Sequence, residues 1–140
     1  MKKGRLRIVI RSLAVLSVVV AWGGLYLYKQ SDHYNLSKLS VYAYYDPLEC
    51  SEKFPVSVTI VNFGTRALNL VNVEITAREV GRSSVLFREK VKSDYIIQPD
   101  SVGVNCWSFA QLTAPEFSFS SYDHRRLNWR AEKIVYASFE

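Results

Sequence analysis

Two cysteines, Cys50 and Cys106, are the residues of this 140-residue chain whose chemistry depends most on their compartment. In an oxidising compartment an even pair of cysteines normally forms a disulfide. That bridge would close a loop of about 57 residues, which stabilises the fold by about 4 kcal/mol on the chain-entropy model. The alternative is a zinc site that also uses His33 and His124, but no C-x-x-C or H-x-x-x-H spacing exists. We therefore predict a disulfide, with no metal and no other cofactor.

The remaining polar residues form no recognisable catalytic motif. A serine hydrolase needs a nucleophile, a base and an oxyanion hole, and the chain has no G-x-S-x-G sequence. Glu49 and Glu52 are paired carboxylates on either side of Cys50, but acids beside a turn are usually solvated. The six glycines form no phosphate-binding loop. We therefore expect a protein that is not an enzyme.

An uncharged apolar run from Leu13 to Tyr28 follows a strongly basic N-terminus. At about 1.5 Å per residue, a helix over this run would be roughly 24 Å long, and the apolar residues before Arg11 can lengthen it. The positive-inside rule then keeps the N-terminus cytoplasmic and sends residues after about 30 across the membrane. Aromatic and basic residues near a membrane surface anchor a helix there, and the candidates are Arg11, Trp22, Tyr26, Tyr28 and Lys29.

Two interpretations of this segment remain open, a retained signal anchor and a cleaved signal peptide. The small residues of Val19-x-Ala21 or Ala21-x-Gly23 would form only a weak cleavage site, and the apolar run continues through Leu27, which favours the anchor. The predicted organisation is a cytoplasmic tail at 1–11, a transmembrane signal anchor at 12–28, a linker at 29–39 and an extracytoplasmic domain at 40–140.

The positive charge of the chain is concentrated in its N-terminal part. The formal net charge is +5, and residues 1–29 contain six basic side chains and no acidic ones. Residues 30–140 therefore hold 12 of the 18 basic side chains and all 13 acidic ones, a formal charge of −1. Because the exported part is nearly neutral, we expect no basic patch across it and no binding to nucleic acid.

Alternating apolar and polar residues predict about seven short strands after the linker. The clearest case places Val71 and Val73 on one face and Asn72 and Glu74 on the other, and charges on 85–91 predict an edge strand. Val102, Val104 and Cys106 are expected on a core-facing side, and the turn at Gly64 is expected to use a positive φ. The predicted strands cover 40–45, 56–60, 71–78, 85–91, 102–109, 117–120 and 129–139.

About seven strands in about 105 residues predict a single all-β sandwich of the immunoglobulin-like type. Two hallmarks of true immunoglobulin domains are missing, since no Trp lies between the cysteines and no tyrosine corner precedes Cys106. The stretches Val56–Gly64, Leu70–Arg78 and Ile97–Ser101 resemble the FxLYD-like and related immunoglobulin-like modules of bacterial envelope proteins. That resemblance implies an accessory or binding role and assigns no site residues.

Aromatic residues are the positive indication of binding. If Val41, Ala43 and Tyr45 face the core, then Tyr42 and Tyr44 are exposed on a first strand that we expect at a sheet edge. The alternative is that these tyrosines pack beneath a neighbouring loop. Exposed tyrosines are favoured at protein interfaces. The candidate partner-binding residues are Tyr42, Tyr44, Phe117, Phe119 and Tyr122.

Three classes of function follow from these features. The leading hypothesis is a non-catalytic, single-pass inner-membrane protein whose periplasmic domain contacts another envelope protein as an accessory subunit of an assembly. The alternative is a periplasmic immunity or exclusion protein that binds and blocks an incoming toxin or delivery component. A small enzyme or ligand carrier is the third, and the sequence shows no convergent polar groups for it. The oligomeric state stays open.

Overall fold

A computed structural model describes residues 2–51, 54–107 and 127–140, with side chains from Val15 onward. The predicted strand at Phe117 and Phe119, and Tyr122 after it, lie outside the described residues, as do Glu52 and His124. The elements, in chain order, are α1 (Lys2–Lys29), α2 (Asp32–Ser37), β1 (Leu39–Tyr45), β2 (Val56–Asn62), β3 (Leu68–Glu79), β4 (Val85–Ser93), β5 (Ser101–Trp107) and β6 (Leu127–Phe139).

The described part of the chain after α2 is built mainly from β-strands, as the alternation predicts. The six strands form two antiparallel three-stranded sheets, sheet A with the order β1-β2-β5 and sheet B with the order β4-β3-β6. β1 lies at the edge of sheet A, and the charged strand β4 lies at the edge of sheet B, both as predicted.

Buried apolar side chains from both sheets join a single cluster. Val58 and Ile60 of β2, and Val71 and Val73 of β3, are each no more than 1% exposed. Apart from Ser57, which is also fully buried, the neighbours of these side chains along each strand are less buried, and this is the period that a half-buried strand requires. Each contributes about 1.5–3 kcal/mol through removal of apolar area from water.

The alternation in β5 has the opposite phase from the prediction. Val102 and Val104, expected in the core, are 59% and 43% exposed, and Cys106 is exposed with them. The pairing of Ile60 with Gly103 fixes this phase, because it puts Gly103 on the core side. The side chain of Ile97 occupies the space over Gly103, where an added Cβ would lie 2.5 Å from Ile97 Cδ1.

The predicted linker at 29–39 contains a short helix and is joined to the β-domain by hydrogen bonds. Residues 32–37 form α2, and the hydroxyl of Ser31 caps it by accepting the N–H of Tyr34 at 3.2 Å. A short polar stretch becomes ordered in this way when its own side chains satisfy the backbone groups at a helix start.

Asn35 joins this connection to the β-domain. Its side chain is fully buried, and its Oδ1 accepts the backbone N–H groups of Thr65 at 2.8 Å and Arg66 at 3.1 Å. Its Nδ2 donates to the carbonyls of Lys29 at 3.1 Å and Ser31 at 2.9 Å. One amide therefore links the end of α1, the start of α2 and the loop after β2, a region that we call the junction.

Two further residues of the loop after β2 complete the junction. The guanidinium of Arg66 forms an ion pair with Asp32 and donates to the carbonyls of Gln30 at 3.1 Å and Phe139 at 2.7 Å. Gly64 does not take the positive φ expected of it. A glycine is required there by close approach, because a Cβ would meet the amide oxygens of two buried asparagines, Asn35 and Asn62.

α1 ends at Lys29, and its large apolar side chains from Val15 onward are unburied. Trp22, Tyr26 and Tyr28 are 72%, 65% and 53% exposed, and Lys29 is exposed beside them, whereas the side chain of Arg11 lies outside the described set. Among the described residues, no helix has both the length and the apolar character needed to cross a membrane.

Candidate functional site

The outer face of sheet A carries no charged side chain at its nine strand positions. Cross-strand pairing arranges these positions in three rows, because residues directly opposite each other in antiparallel strands share a face. We call this surface the uncharged face. From the junction end onward, its rows are Ser40–Val61–Val102, Tyr42–Thr59–Val104 and Tyr44–Ser57–Cys106.

Large side chains on the uncharged face are open to solvent. Tyr42 is 55% and Tyr44 is 39% exposed, so the interpretation in which these tyrosines pack beneath a loop is wrong. Val104 lies in the same row as Tyr42, two strands away, and Val102 lies in the next row. Contiguous exposed apolar surface of this kind, with tyrosine at its border, is typical of protein-binding sites.

Tyr44 is held in place before any partner binds. Its hydroxyl donates to Oε2 of Glu49 at 3.2 Å and lies 3.3 Å from the hydroxyl of Thr59. Both neighbours restrict the ring, so less side-chain entropy is lost on binding. Glu49 therefore supports the aromatic side chain of Tyr44.

The disulfide joins Cys50 to Cys106 at one end of the uncharged face, with a Cα–Cα distance of 5.6 Å. The pairing agrees with the prediction, although Cys106 points outward and not into the core. Ser57, which lies between Tyr44 and Cys106 in the row, is fully buried. This row is therefore covered at its middle, and the most exposed part of the face lies at Tyr42, Val102 and Val104.

The outer face of sheet B has the opposite character. Glu74 is buried at its centre, 3.7 Å from Nε of Arg88 and 3.7 Å from Nζ of Lys133. The expectation that the folded part carries no basic patch is therefore wrong for this surface. Its charged residues are six basic ones, Arg78, Arg88, Lys90, Lys92, Arg130 and Lys133, and two acidic ones, Glu74 and Glu132.

Glu132 belongs to a hydrogen-bonded group on that charged face. It accepts the hydroxyl of Thr76 at 2.8 Å and Nη2 of Arg78 at 2.7 Å. The hydrogen bond from Thr76, together with the positive charge of Arg78, holds the pKa of Glu132 below its usual value. The carboxylate is thus ionised and paired, which suits a solvated structural network.

The histidines, cysteines and acidic residues of the described part of the chain do not converge on a metal site. Within that part, no group of three or more His, Cys, Asp and Glu side chains could hold a metal ion. His33 is exposed on α2, which belongs to neither sheet. Both cysteines are bonded to each other in the disulfide and have no free thiol.

The structure thus brings two of the five candidate partner-binding residues together and adds residues that sequence reasoning assigned to the core. Tyr42 and Tyr44 share their surface with Val102 and Val104. The sequence signal for this arrangement was Gly103, whose missing side chain marks the side of β5 that lies against another group.

These features define a β-rich domain of two antiparallel three-stranded sheets with one uncharged and one charged outer face. Comparison with protein-family models, with curated proteins and with solved structures gave no match.

Proposed function

We propose that this chain is a non-catalytic, membrane-anchored protein-interaction module that binds another envelope protein through the uncharged face. The observation that carries the proposal is the exposure of Tyr42, Tyr44, Val102 and Val104 on a sheet surface without a charged side chain. Burying such a surface against a partner gains about 25 cal/mol per Å², and none of its nine strand positions carries a charge that would lose its hydration.

Support for the anchor comes from the apolar side chains of α1. Those described are 53–72% exposed and point to all sides of the helix. A helix that is apolar all round is stable where a bilayer or protein covers it. The basic flank before Arg11 favours a cytoplasmic N-terminus and an extracytoplasmic, periplasmic β-domain. The exposed apolar side chains are Val15, Leu16, Val18, Val19, Val20, Trp22, Leu25, Tyr26, Leu27 and Tyr28.

Two further features support an exported β-sandwich of immunoglobulin-like type. The single apolar cluster draws on both sheets, which is the core arrangement of a two-sheet sandwich. The disulfide between Cys50 and Cys106 fits an oxidising compartment, because cytosolic thiols are normally kept reduced.

Site-specific photo-crosslinking in intact membranes tests the binding surface. A benzoylphenylalanine placed at Tyr42 should crosslink to a partner in the envelope. The same group at Tyr136, which is 52% exposed on the charged face, is the matched control and should give no such product. The double variant Tyr42→Ser/Val104→Ser should also lose the partner while melting as the wild type does. Equal crosslinking from both positions, or full partner recovery by the double variant, would refute the proposed surface.

Intact-mass analysis of protein purified from membranes tests the anchor. We expect a mature chain that retains the segment ending at Lys29. A mature N-terminus between Trp22 and Gln30 would show a cleaved signal peptide and would refute the anchor, leaving the binding surface to be judged by crosslinking alone.

A further inference from the structure

The edge of β1 that faces away from β2 has a defined hydrogen-bonding phase. The carbonyl of Lys38 accepts the N–H of Phe63 at 3.0 Å, and the N–H of Asp46 donates to the carbonyl of Pro55 at 2.8 Å. Both pairs continue the register of β1 with β2. Hydrogen-bonded pairs recur at every second residue of an antiparallel ladder. The even-numbered residues of β1 therefore bond to β2, and the odd-numbered residues point their backbone groups away from it.

Val41 and Ala43 lie at the centre of this outward-pointing set. Within the described residues, no backbone group from another strand pairs with either of them, since β1 has β2 as its neighbour in sheet A. Their N–H and C=O groups form a row of donors and acceptors that can hydrogen-bond to an added strand, in either the antiparallel or the parallel direction.

β1 also lacks the features that normally protect a free strand edge. Leu39–Tyr45 contains no charged residue and no proline, and its pairing with β2 shows no register shift. The edge strands of sheet B differ from β1 in carrying charged residues and in having register shifts. β4 carries Arg88, Lys90 and Lys92, and β6 pairs with β3 through three register shifts.

A groove runs along this edge between β1 and β6. One part, of about 340 Å³, is lined by Val41, Ala43 and Ala131 together with the tyrosines of β1. A second part, of about 230 Å³, continues past Val41 to Val73. Apolar side chains make up much of the lining, and its charged residues are Arg130 in the larger part and Glu132 and Lys133 in the smaller one. The two basic residues outnumber the acidic one, which disfavours a basic occupant.

We propose that the β1 edge takes an extended segment of the partner protein as a fourth strand of sheet A. This inference rests on the proposed function and names the kind of partner segment that the site accepts. The segment is five or so residues long, is not basic, and has an apolar side chain at every second position. Those apolar side chains enter the groove, while the alternate ones lie beside Tyr42 and Tyr44 on the uncharged face.

A second copy of the chain is the weaker occupant. Antiparallel pairing of two β1 strands would place the two junctions at opposite ends of a shared edge, about 20 Å apart for seven residues. Two anchors that must enter one membrane from the same side fit such a pairing poorly. A partner segment carries no such constraint.

Peptide selection against the full-length protein in detergent tests the inference. A displayed library of random peptides of about nine residues, long enough to span β1, should yield peptides with alternating apolar residues. Val41→Pro removes one outward N–H and should weaken these peptides by about tenfold or more. Val41→Ala trims the same side chain but keeps the N–H, so it measures the loss that comes from the side chain alone, and Val41→Pro should bind these peptides at least about tenfold more weakly than Val41→Ala.

A second measurement uses only the wild-type protein, so it tests the inference even if Val41→Pro fails to fold. The enriched peptides are resynthesised with N-methyl groups on alternate residues and titrated against the wild-type protein. Methylation on one phase should abolish binding, and methylation on the other phase should leave binding intact, because a strand offers each neighbour only every second N–H.

Three results would overturn the inference: no enriched peptide, equal binding to Val41→Pro and wild type, or tolerance of methylation on both phases. Dimerisation of the purified protein that Val41→Pro abolishes would assign the edge to a second copy instead. A failure of the proposed function would look different: the Tyr42→Ser/Val104→Ser variant would then keep its envelope partner.

Discussion

Asn35 is the position at which a single substitution should most weaken the connection between α1 and the β-domain. Asn35→Ala removes two hydrogen bonds accepted from the N–H groups of Thr65 and Arg66 and two donated to the carbonyls of Lys29 and Ser31. Each lost bond costs about 0.5–1.5 kcal/mol net, and more where the remaining group stays buried. For the four bonds together we expect a loss of about 2–6 kcal/mol, which lowers Tm by roughly 10–30 °C for a domain of this size.

Thermal unfolding of full-length protein in detergent, followed by near-ultraviolet circular dichroism, measures this loss. Leu36→Ala is the matched control, because Leu36 is the next residue of α2 and is 40% exposed, so Tm should change little. Asn35→Asp keeps the acceptor for Thr65 and Arg66 and should fall between the two. Hydrogen exchange at the amides of Thr65 and Arg66 should accelerate in Asn35→Ala. If the Tm of Asn35→Ala equals the Tm of Leu36→Ala, the account of the junction is refuted.

Three further predictions concern the rest of the domain. Cys106→Ala, made in an oxidising compartment, should cost about 4 kcal/mol on the chain-entropy model, whereas reaction of both Cys50 and Cys106 with a thiol reagent in the unreduced native protein would contradict it. Glu132 has a lowered pKa, so its contribution is complete above its ordinary value of 4.5 and is lost as pH falls through the folded value. The stability difference between wild type and Glu132→Gln in urea titrations should therefore shrink between neutral and acidic pH, and a constant difference would argue against pairing with Thr76. Gly64→Ala should lower Tm because its Cβ has no room; an unchanged Tm would show that the neighbouring amides can shift.

Strand positions were largely predictable because period-two alternation survives in this sequence wherever a strand has one buried face. β3 shows this best, since Val71 and Val73 face the core and Asn72 points away from it. The edge position of β1 also follows from sequence, because the strand stops at Asp46-Pro47.

The orientation of β5 could not be read from alternation. Periodicity separates two faces but does not say which one meets the core. The valines of β5 indicated that their own face meets the core. In the structure the opposite face meets it, because Ile97 fills the space that Gly103 leaves. Half of the candidate site was missed for that reason, since Val102 and Val104 belong to the uncharged face.

The junction escaped prediction because its order comes from long-range hydrogen bonds. Asn35 looks like a linker residue, and nothing near it in sequence indicates that its partners Thr65 and Arg66 lie about thirty residues away. The cap at Ser31 was the local sign that a helix begins there.

The junction also has a consequence for orientation, because it connects α1 directly to the β-domain. Asn35 bonds to the carbonyl of Lys29, Arg66 bonds to the carbonyl of Gln30, and both residues are joined to each other, so hydrogen bonds tie the end of α1 to the loop after β2. For a helix anchored in a bilayer, a tilt of about 20° moves a point about 30 Å beyond the junction sideways by about 10 Å. The bilayer would then set the direction in which Tyr42 and its neighbours are aimed, and membrane thickness would become a variable that controls which partners they can reach.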